Sequence, residues 1–494
     1  MIDTKALKQK ILDLAMRGKL VPQDPNDEPV EELLARIREE RKKLEKEKKI
    51  SKVEESDIYW SDDDNCYYEK VGQIIKTIDN KKMPISHNIK NRSFQKLSFL
   101  STSSMGQTIL SSDLDIEGIP VYSATMDDSP FGYIKETKNK MYLTKGDIVI
   151  PARGNSIGYV TYINDSLATC TQTTIALYPI TKVISKFVYY YFKAYKDYLF
   201  EYVGGAIPQI TLKMINEIIV PLPPLQEQER IVNKIDKLFE LVDKIEKDQQ
   251  ELEELKKQAK DKVLELAVTG KLVKQDPNDE PASVLLERIK AEKEKLIKEG
   301  KIKREKADLE PISDDDKNYY ENIPSNWIVT SLNSICTKIV DGNHNPPKGF
   351  QQKTDYYMLS SQNIVDGNII ELSKARFLTK DQFLEENKRT KLSINDILFT
   401  SVGSIGRSCI FNHNYNICFQ RSVSVITTLI NPYYVKLFFD APMQQVWFTK
   451  KASGTAQKGF YLNQLSNLLI AVPPIYEQSK IVKKYNIIAK NLTT

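Results

Sequence analysis

Lys19-Leu20-Val21-Pro22-Gln23-Asp24-Pro25-Asn26-Asp27-Glu28-Pro29 returns as Lys271-Leu272-Val273-Lys274-Gln275-Asp276-Pro277-Asn278-Asp279-Glu280-Pro281, an offset of 252 residues. The match runs without a gap from Lys8–Glu69 against Lys260–Glu321. A second block, Pro223-Pro224-Leu225-Gln226-Glu227-Gln228 with Ile231-Val232, returns at an offset of 250 as Pro473-Pro474-Ile475-Tyr476-Glu477-Gln478 with Ile481-Val482. Duplication of this length implies two domains related by pseudo-symmetry. Between the blocks only scattered anchors repeat, so a constant frame carries two divergent inserts.

The frame is helical. Ile231, Ile235, Leu238, Val242, Ile245, Gln249, Leu252, Lys256, Ala259, Val263 and Leu266 step alternately by four and three, the seam of a long coiled-coil helix. From Gln226 to Thr269 such a helix is a rod of roughly 65 Å. Gln249 and Lys256 interrupt the seam, as polar residues do where register must be fixed. Ile481, Tyr485, Ile488 and Leu492 repeat the first half of the seam, and Leu7, Ile11 and Leu14 repeat the second. The two terminal segments together nearly rebuild one central helix, with about eight residues in its middle lacking counterparts. This circular arrangement predicts two long antiparallel coiled-coil helices, an insert at each end and neighbouring termini. After Gly18 and Gly270 each repeated loop leads into another helix, with Asp27 and Asp279 as candidate N-caps and Pro29 and Pro281 in the first turn. The Lys/Glu runs ending these helices read either as partner-docking faces or as solvated faces with i,i+4 ion pairs.

With 494 residues, 28% charged and 41% hydrophobic, the chain reads as two to four globular domains. No apolar run reaches membrane-spanning length and the N-terminus lacks a signal-peptide core, so a cytoplasmic location is expected. Five scattered cysteines without a C-x-x-C pair and three distant histidines support neither a disulfide frame nor a zinc site. Tyr67–Leu222 holds 17 Lys/Arg against 13 Asp/Glu, and Tyr319–Val472 holds 15 against 10, while the rest of the chain is acidic on balance. The inserts, not the frame, therefore suit a polyanion.

Within the inserts, Gly146-Asp147-Ile148-Val149-Ile150-Pro151-Ala152-Arg153-Gly154-Asn155-Ser156-Ile157-Gly158 parallels Asn395-Asp396-Ile397-Leu398-Phe399-Thr400-Ser401-Val402-Gly403-Ser404-Ile405-Gly406. A buried strand ending in a Gly-bearing turn brings backbone N–H groups and a basic residue, Arg153 or Arg407, to a phosphate or base edge; a plain β-hairpin turn fits equally. Cys170-Thr171-Gln172-Thr173 parallels Cys418-Phe419-Gln420-Arg421, a shared Gln beside a varying Thr or Arg. Gln pairs bidentately with adenine and Arg with guanine, although Gln172 and Gln420 could instead fix the fold. Loops Gly204–Gln209 and Gly454–Gly459 offer further polar edges. Catalytic motifs are not found. Asn345-Pro346-Pro347-Lys348 lacks the aromatic that stacks on a flipped base, and Asn431-Pro432-Tyr433-Tyr434 lacks the middle proline of that motif. There is no G-x-G to seat a methyl donor and no P-loop.

A duplicated helical frame with these Gly-Lys-Leu-Val-x-Gln-Asp-Pro-Asn-Asp-Glu-Pro loops and Pro-Pro-x-x-Glu-Gln helix starts, enclosing two divergent inserts, resembles the specificity subunit of type I restriction-modification systems. The resemblance covers essentially the whole chain and implies an α/β (α+β) fold: two globular mixed α/β target recognition domains separated by two long antiparallel coiled-coil helices, pseudo-two-fold, with circularly arranged repeats. Each domain would read half of a split duplex target, and the helices would hold the domains apart and dock two modification subunits. Those subunits would bind S-adenosylmethionine and methylate adenine. Restriction subunits would supply ATP- and Mg-dependent translocation and cleavage, leaving this chain with no cofactor and no catalysis of its own.

The expected boundaries are 1–57 N-terminal helical region, 58–222 first recognition domain, 223–309 central helical region, 310–472 second recognition domain and 473–494 C-terminal helix. Candidate DNA contacts are Ser123, Thr125, Arg153, Asn155, Ser156, Gln172, Thr173 and Gln209 in the first domain. In the second they are Ser361, Asn363, Ser401, Ser404, Arg407, Gln420, Arg421, Gln457 and Lys458. The expected seam is Ile231, Ile235, Leu238, Val242, Ile245, Leu252, Val263, Leu266, Ile481 and Ile488. A C-terminal helix ending at Thr494 would be short of a full second copy. The competing readings are a coiled-coil protein-interaction scaffold that reads no sequence, and a fused restriction-methylation enzyme, which the missing motifs argue against.

Overall fold

Pro223-Pro224 opens a single helix of 44 residues, Leu225–Val268. Gln228, directed back by the first turn, donates from Nε2 to the Pro223 carbonyl at 2.8 Å, and Gln478 does the same to Pro473 at 2.9 Å before the C-terminal helix Ile475–Thr493. The Gln of each Pro-Pro-x-x-Glu-Gln motif is thus a buried latch on the helix start. The computed structural model describes residues 1–79, 83–85, 91–137, 141–200, 208–304, 320, 322–453 and 458–493, with the side chains of Lys374 and Thr493 excepted. The chain is a mixed helix-and-sheet protein that divides into two units, 1–250 and 251–494, with the long helix contributing to both.

In the first unit the N-terminal helix Thr4–Met16 runs antiparallel to the first half of the central helix. Ile2 exchanges two backbone bonds with the Gln249 amide (2.6 and 3.2 Å), Lys8 pairs with Asp243, and beyond the helix Asp27 takes Arg230 bidentately. Gln249, polar in the seam, therefore fixes register by binding backbone. Asp27 does not cap a helix, because Val30–Lys46 is entered at Pro29; its carboxylate serves the central helix, and Arg230 lowers its pKa. In the second unit Ala282–Lys298 is entered at Pro281, and Asp279 receives Lys480 at 3.1 Å. There Leu264, Ala267 and Val268 of the central helix share a core with Ile481 and Tyr485.

The seam needs correction at its centre and second half. Ile231, Ile235, Val242 and Ile481 are buried; Leu238, Ile245, Val263, Leu266 and Ile488 are half-buried; Leu252 is 51% exposed. Leu252 belongs to the stretch without a counterpart in the repeat, and among the described residues no helix covers it. Near its end the helix buries Leu264, Ala267 and Val268, as the N-terminal helix buries Leu12, Ala15 and Met16, because both also pack on a globular domain and need a wider apolar face than a two-helix seam. Lys256 is half-buried and pairs with the exposed Glu253 at 3.5 Å.

The inserts repeat in fold where they do not in sequence. Each contains a four-stranded antiparallel sheet of the same order: Ser101–Met105, Thr174–Pro179, Ile148–Pro151, Thr161–Tyr162 in the first, and Cys336–Asp341, Val423–Thr428, Ile397–Thr400, Ser408–Ile410 in the second. Each also contains a three-stranded sheet whose middle strand, Ile119–Tyr122 or Tyr356–Leu359, has one parallel neighbour (Thr169–Cys170 or Asn416–Phe419) and one antiparallel neighbour. Strand Ser93–Lys96 pairs with Ile219–Leu222 as Ile328–Ser331 pairs with Leu469–Val472, closing each insert onto its helix start. The first core is built around Phe187, Tyr191 and Phe192 of helix Ser185–Leu199, and the second around Phe399, Phe438, Phe448 and Phe460.

Asn431, of the methyltransferase-like Asn-Pro-Tyr-Tyr, caps helix Pro432–Asp440, and the buried Tyr434 donates to the Ala471 carbonyl at 2.6 Å. That motif is a helix start. No disulfide joins the five cysteines, and four of them are buried.

Candidate nucleic-acid interface

In each unit the wholly buried strand Ile148–Pro151 or Ile397–Thr400 delivers a polar turn to one end of the sheet. Neighbouring segments meet it there. In the first unit Ala152 donates to the Thr173 carbonyl and Ile210 to that of Ala152, both at 3.0 Å, while Gly154 donates to Pro208 at 3.0 Å and Arg153 bridges Gln209. Hydroxyls tie in two more loops: Ser123 to Thr171 at 2.9 Å, Thr171 to Thr173 at 2.8 Å, and Ser156 to the Ala124 carbonyl at 2.9 Å. The predicted residues of the first domain are therefore brought together. Arg153, Asn155, Gln172 and Gln209 are exposed on this edge, Ser123, Thr125 and Thr173 are half-buried, and Ser156 is buried with its hydroxyl engaged.

The second unit assembles the same edge. Ser401 donates from its backbone to the Ser422 carbonyl at 2.9 Å, Phe460 donates to Ser401 at 2.7 Å, and Ser361 donates to the Ser422 hydroxyl at 3.1 Å. Arg407, Arg421 and Lys458 are exposed, and Ser404 and Gln420 half-buried. Three predicted contacts are turned inward instead. Ser401 shares a hydrogen bond with Ser424 at 2.6 Å, Asn363 accepts from the Ser360 backbone and donates to the Ile370 carbonyl, and Ser361 is buried beside them. Like Ser156, these residues are buried within the loops of the edge. Gln457, and with it most of both Gly204–Gln209 and Gly454–Gly459, lies outside the described residues.

Two pairings read from sequence shift. Asn343 donates to the Phe419 carbonyl as Gln107 donates to that of Cys170, and Val423 to Gln420 as Thr174 to Thr171. Gln172 therefore corresponds to Arg421 and Thr171 to Gln420; the likeness of Gln172 to Gln420 is a coincidence one residue out of register. Arg153 and Arg407 are not equivalent either, since the bridge Arg153–Gln209 is matched by Val402–Gly459, with Arg407 on the far side of the turn. Gly106 and Gly342 escaped the sequence reading. A Cβ on Gly106 would stand 2.1 Å from the Thr171 carbonyl oxygen, and one on Gly342 would stand 2.2 Å from that of Phe419. A glycine followed by Gln107 or Asn343 was the available signal, hidden because the flanking strands diverge.

The pairing of the arginines distinguishes this edge. Of the 13 arginines, ten bond a carboxylate or a backbone carbonyl within 3.1 Å. Among the described residues Arg153 and Arg421 have no such partner, and Arg407 reaches only the Ile364 carbonyl at 3.5 Å. The three arginines without a carboxylate or close carbonyl all lie on the two edges. Such guanidinium groups can donate to phosphate or to base edges without first breaking an internal pair.

Behind each edge the motif glutamate is buried. Arg92, just before Ser93–Lys96, donates to the Met16 carbonyl at 2.8 Å and lies 3.5 Å from Glu227. Trp327 precedes Ile328–Ser331 and donates to Glu477 at 3.0 Å, with Gln275 donating to the other oxygen at 2.6 Å. Burial raises the pKa of both carboxyls, opposed by Arg92 in the first and by the Gln275 and Trp327 hydrogen bonds in the second. Among the described residues no cluster of His, Cys, Asp and Glu could hold a metal, and no helix is long and apolar enough to cross a membrane.

A family model described as the type I restriction modification DNA specificity domain matches residues 69–257 and 324–493. The chain is 31% identical over 426 residues to the type I restriction enzyme EcoAI specificity subunit of Escherichia coli, covering 74% of this chain and 67% of that protein. It is 27% identical over 547 residues to the EcoEI specificity subunit of the same organism, covering 97% and 88%. Among solved structures, the HsdS subunit from Thermoanaerobacter tengcongensis aligns with a TM-score of 0.45 at 14% identity, over 84% of this chain and 92% of that one.

Proposed function

Since the chain belongs to the type I restriction-modification DNA specificity family and is a non-catalytic specificity subunit, we propose that its two edges each read one half of a bipartite, asymmetric duplex target. The observation that carries this reading is the placement of Arg153, Arg407 and Arg421, the arginines without a carboxylate or close carbonyl partner among the described residues, on corresponding ends of two sheets. Guanidinium contacts to phosphate position a protein on DNA, and side chains at base edges supply the sequence. We take residues 58–222 and 310–472 as the recognition domains, and 1–57, 223–309 and 473–494 as the helical frame. The frame sets the spacer between half-sites and docks two modification subunits. Those subunits hold S-adenosylmethionine and methylate adenine, and restriction subunits use ATP and Mg; all act in the cytoplasm.

The test is a methylome. Host DNA is sequenced for methylated adenine with the modification subunits present, with and without this chain. A split motif that depends on this chain, together with salt-sensitive protection of the same duplex, is the expected result. Methylation at the same sites without the chain, or no duplex protection by the assembled complex, would refute the reading and favour a scaffold that reads no sequence.

A further inference from the structure

Each edge carries one four-residue turn in the same place, Thr171-Gln172-Thr173-Thr174 in the first unit and Gln420-Arg421-Ser422-Val423 in the second. The turns are closed by the same bonds, Thr174 to Thr171 at 3.0 Å and Val423 to Gln420 at 3.1 Å. Both are pressed against a facing glycine, Gly106 or Gly342, whose lack of a side chain lets the backbones approach. The residue after the tip is also held. Thr173 is bonded to Thr171, and the Ser422 hydroxyl accepts from Ser361. Each turn therefore offers a single exposed side chain from a clamped backbone: Gln172 in one unit and Arg421 in the other.

We infer that this tip residue reads a base in the major groove, Gln172 selecting adenine in one half-site and Arg421 guanine in the other. The inference rests on the proposed DNA reading and adds which residue does it and for which base. Three features converge on the tip. It is the one exposed position in two turns closed by the same backbone bond, and its occupant differs between them, as a specificity determinant must when the half-sites differ. Its two occupants carry the bidentate patterns complementary to adenine N6/N7 and guanine O6/N7. Its orientation is prepared, because Thr108 donates from its hydroxyl to Gln172 Oε1 at 2.7 Å. That bond leaves a second lone pair on Oε1 to accept from adenine N6 and both Nε2 hydrogens to donate toward N7.

The experiment uses the chain assembled with its modification subunits, as wild type, Q172R and R421Q. Affinity is measured by competition against a panel of duplexes in which each base pair of the wild-type target is substituted singly. For wild type, an A·T pair in one half-site and a G·C pair in the other should each discriminate by on the order of 10- to 100-fold. Q172R should change the penalty profile at one position of one half-site toward guanine, and R421Q at one position of the other toward adenine. A profile unaltered in both variants, or altered equally at all positions, overturns the assignment of the tip while leaving DNA reading intact. A flat wild-type profile overturns the reading on which it rests.

Discussion

Replacing Arg92 by methionine should destabilise the first unit by about 3–5 kcal/mol at neutral pH, the cost of leaving one member of a buried ion pair alone. Side-chain exposure is 0% for Arg92 and 1% for Glu227, so little of the attraction is lost to water. Arg92 also holds the Met16 carbonyl at the end of the N-terminal helix, so one guanidinium joins that helix, the central helix and the recognition domain. Burial already raises the Glu227 carboxyl above its ordinary value against the pull of Arg92. A carboxyl whose folded pKa exceeds its unfolded value favours the fold most below the unfolded pKa, and that advantage is lost as pH rises through the folded one. Removing Arg92 raises the folded value further, so the R92M deficit should shrink as pH falls from neutral toward the ordinary carboxyl range. Hydrogen exchange at Ser93–Lys96 and the first turns of the central helix reads the unit locally, and protection should fall by roughly two to four orders of magnitude. The double variant R92M/E227Q, which removes both charges, should recover to within about 2 kcal/mol of wild type. R92W should lose less than R92M, because Trp327 already serves Glu477 in the second unit. Protection within tenfold of wild type in R92M, or no recovery in the double variant, would refute the ion-pair argument.

Arg153→Ala and Arg407→Ala should each weaken duplex binding roughly tenfold and lower the salt slope by about one, if they contact phosphate; unchanged salt dependence in titrations of the assembled complex would remove them from the interface. Gly106→Ala forces a Cβ into the Thr171 carbonyl and should cost about 1–3 kcal/mol. Its effect should be confined to the first unit, and equal loss of exchange protection in both units would contradict the local clash. Exchanging residues 67–222 for the matching segment of a relative should change one half of the methylated motif, and a change in both halves would break the modular reading.

The frame was readable because its residues answer to one another. Asp27 with Arg230, Gln228 with the Pro223 carbonyl and Gln249 with Ile2 are contacts whose partners lie in repeated or terminal segments, so the constraints appear in the letters. The seam departs from the 4-3 count at Leu252, which is exposed, and where the helix meets a domain. A 4-3 count finds Val263 and Leu266, but a helix packed on two neighbours buries Leu264, Ala267 and Val268 as well.

The inserts were harder to read for a physical reason. Their shared topology is held by main-chain hydrogen bonds, which place few demands on side chains, and by cores that tolerate different apolar residues, so two like folds diverge. Letter matching then aligned Gln172 with Gln420, whereas the backbone bonds of Gln107 and Asn343 align Gln172 with Arg421. The corrected register changes what the proposed reading implies. An invariant Gln beside a variable neighbour would leave the first base common to both half-sites, while an exposed tip that is Gln in one unit and Arg in the other makes the same structural position the site of difference. A clamped turn with one exposed side chain can change that side chain without disturbing the sheet behind it, because Gly106 and Gly342 fix the backbone and the tip side chain lies outside the packed core. On the proposed reading, the stability of the edge and its specificity reside in different atoms, which lets the backbone of the edge stay constant while the target changes.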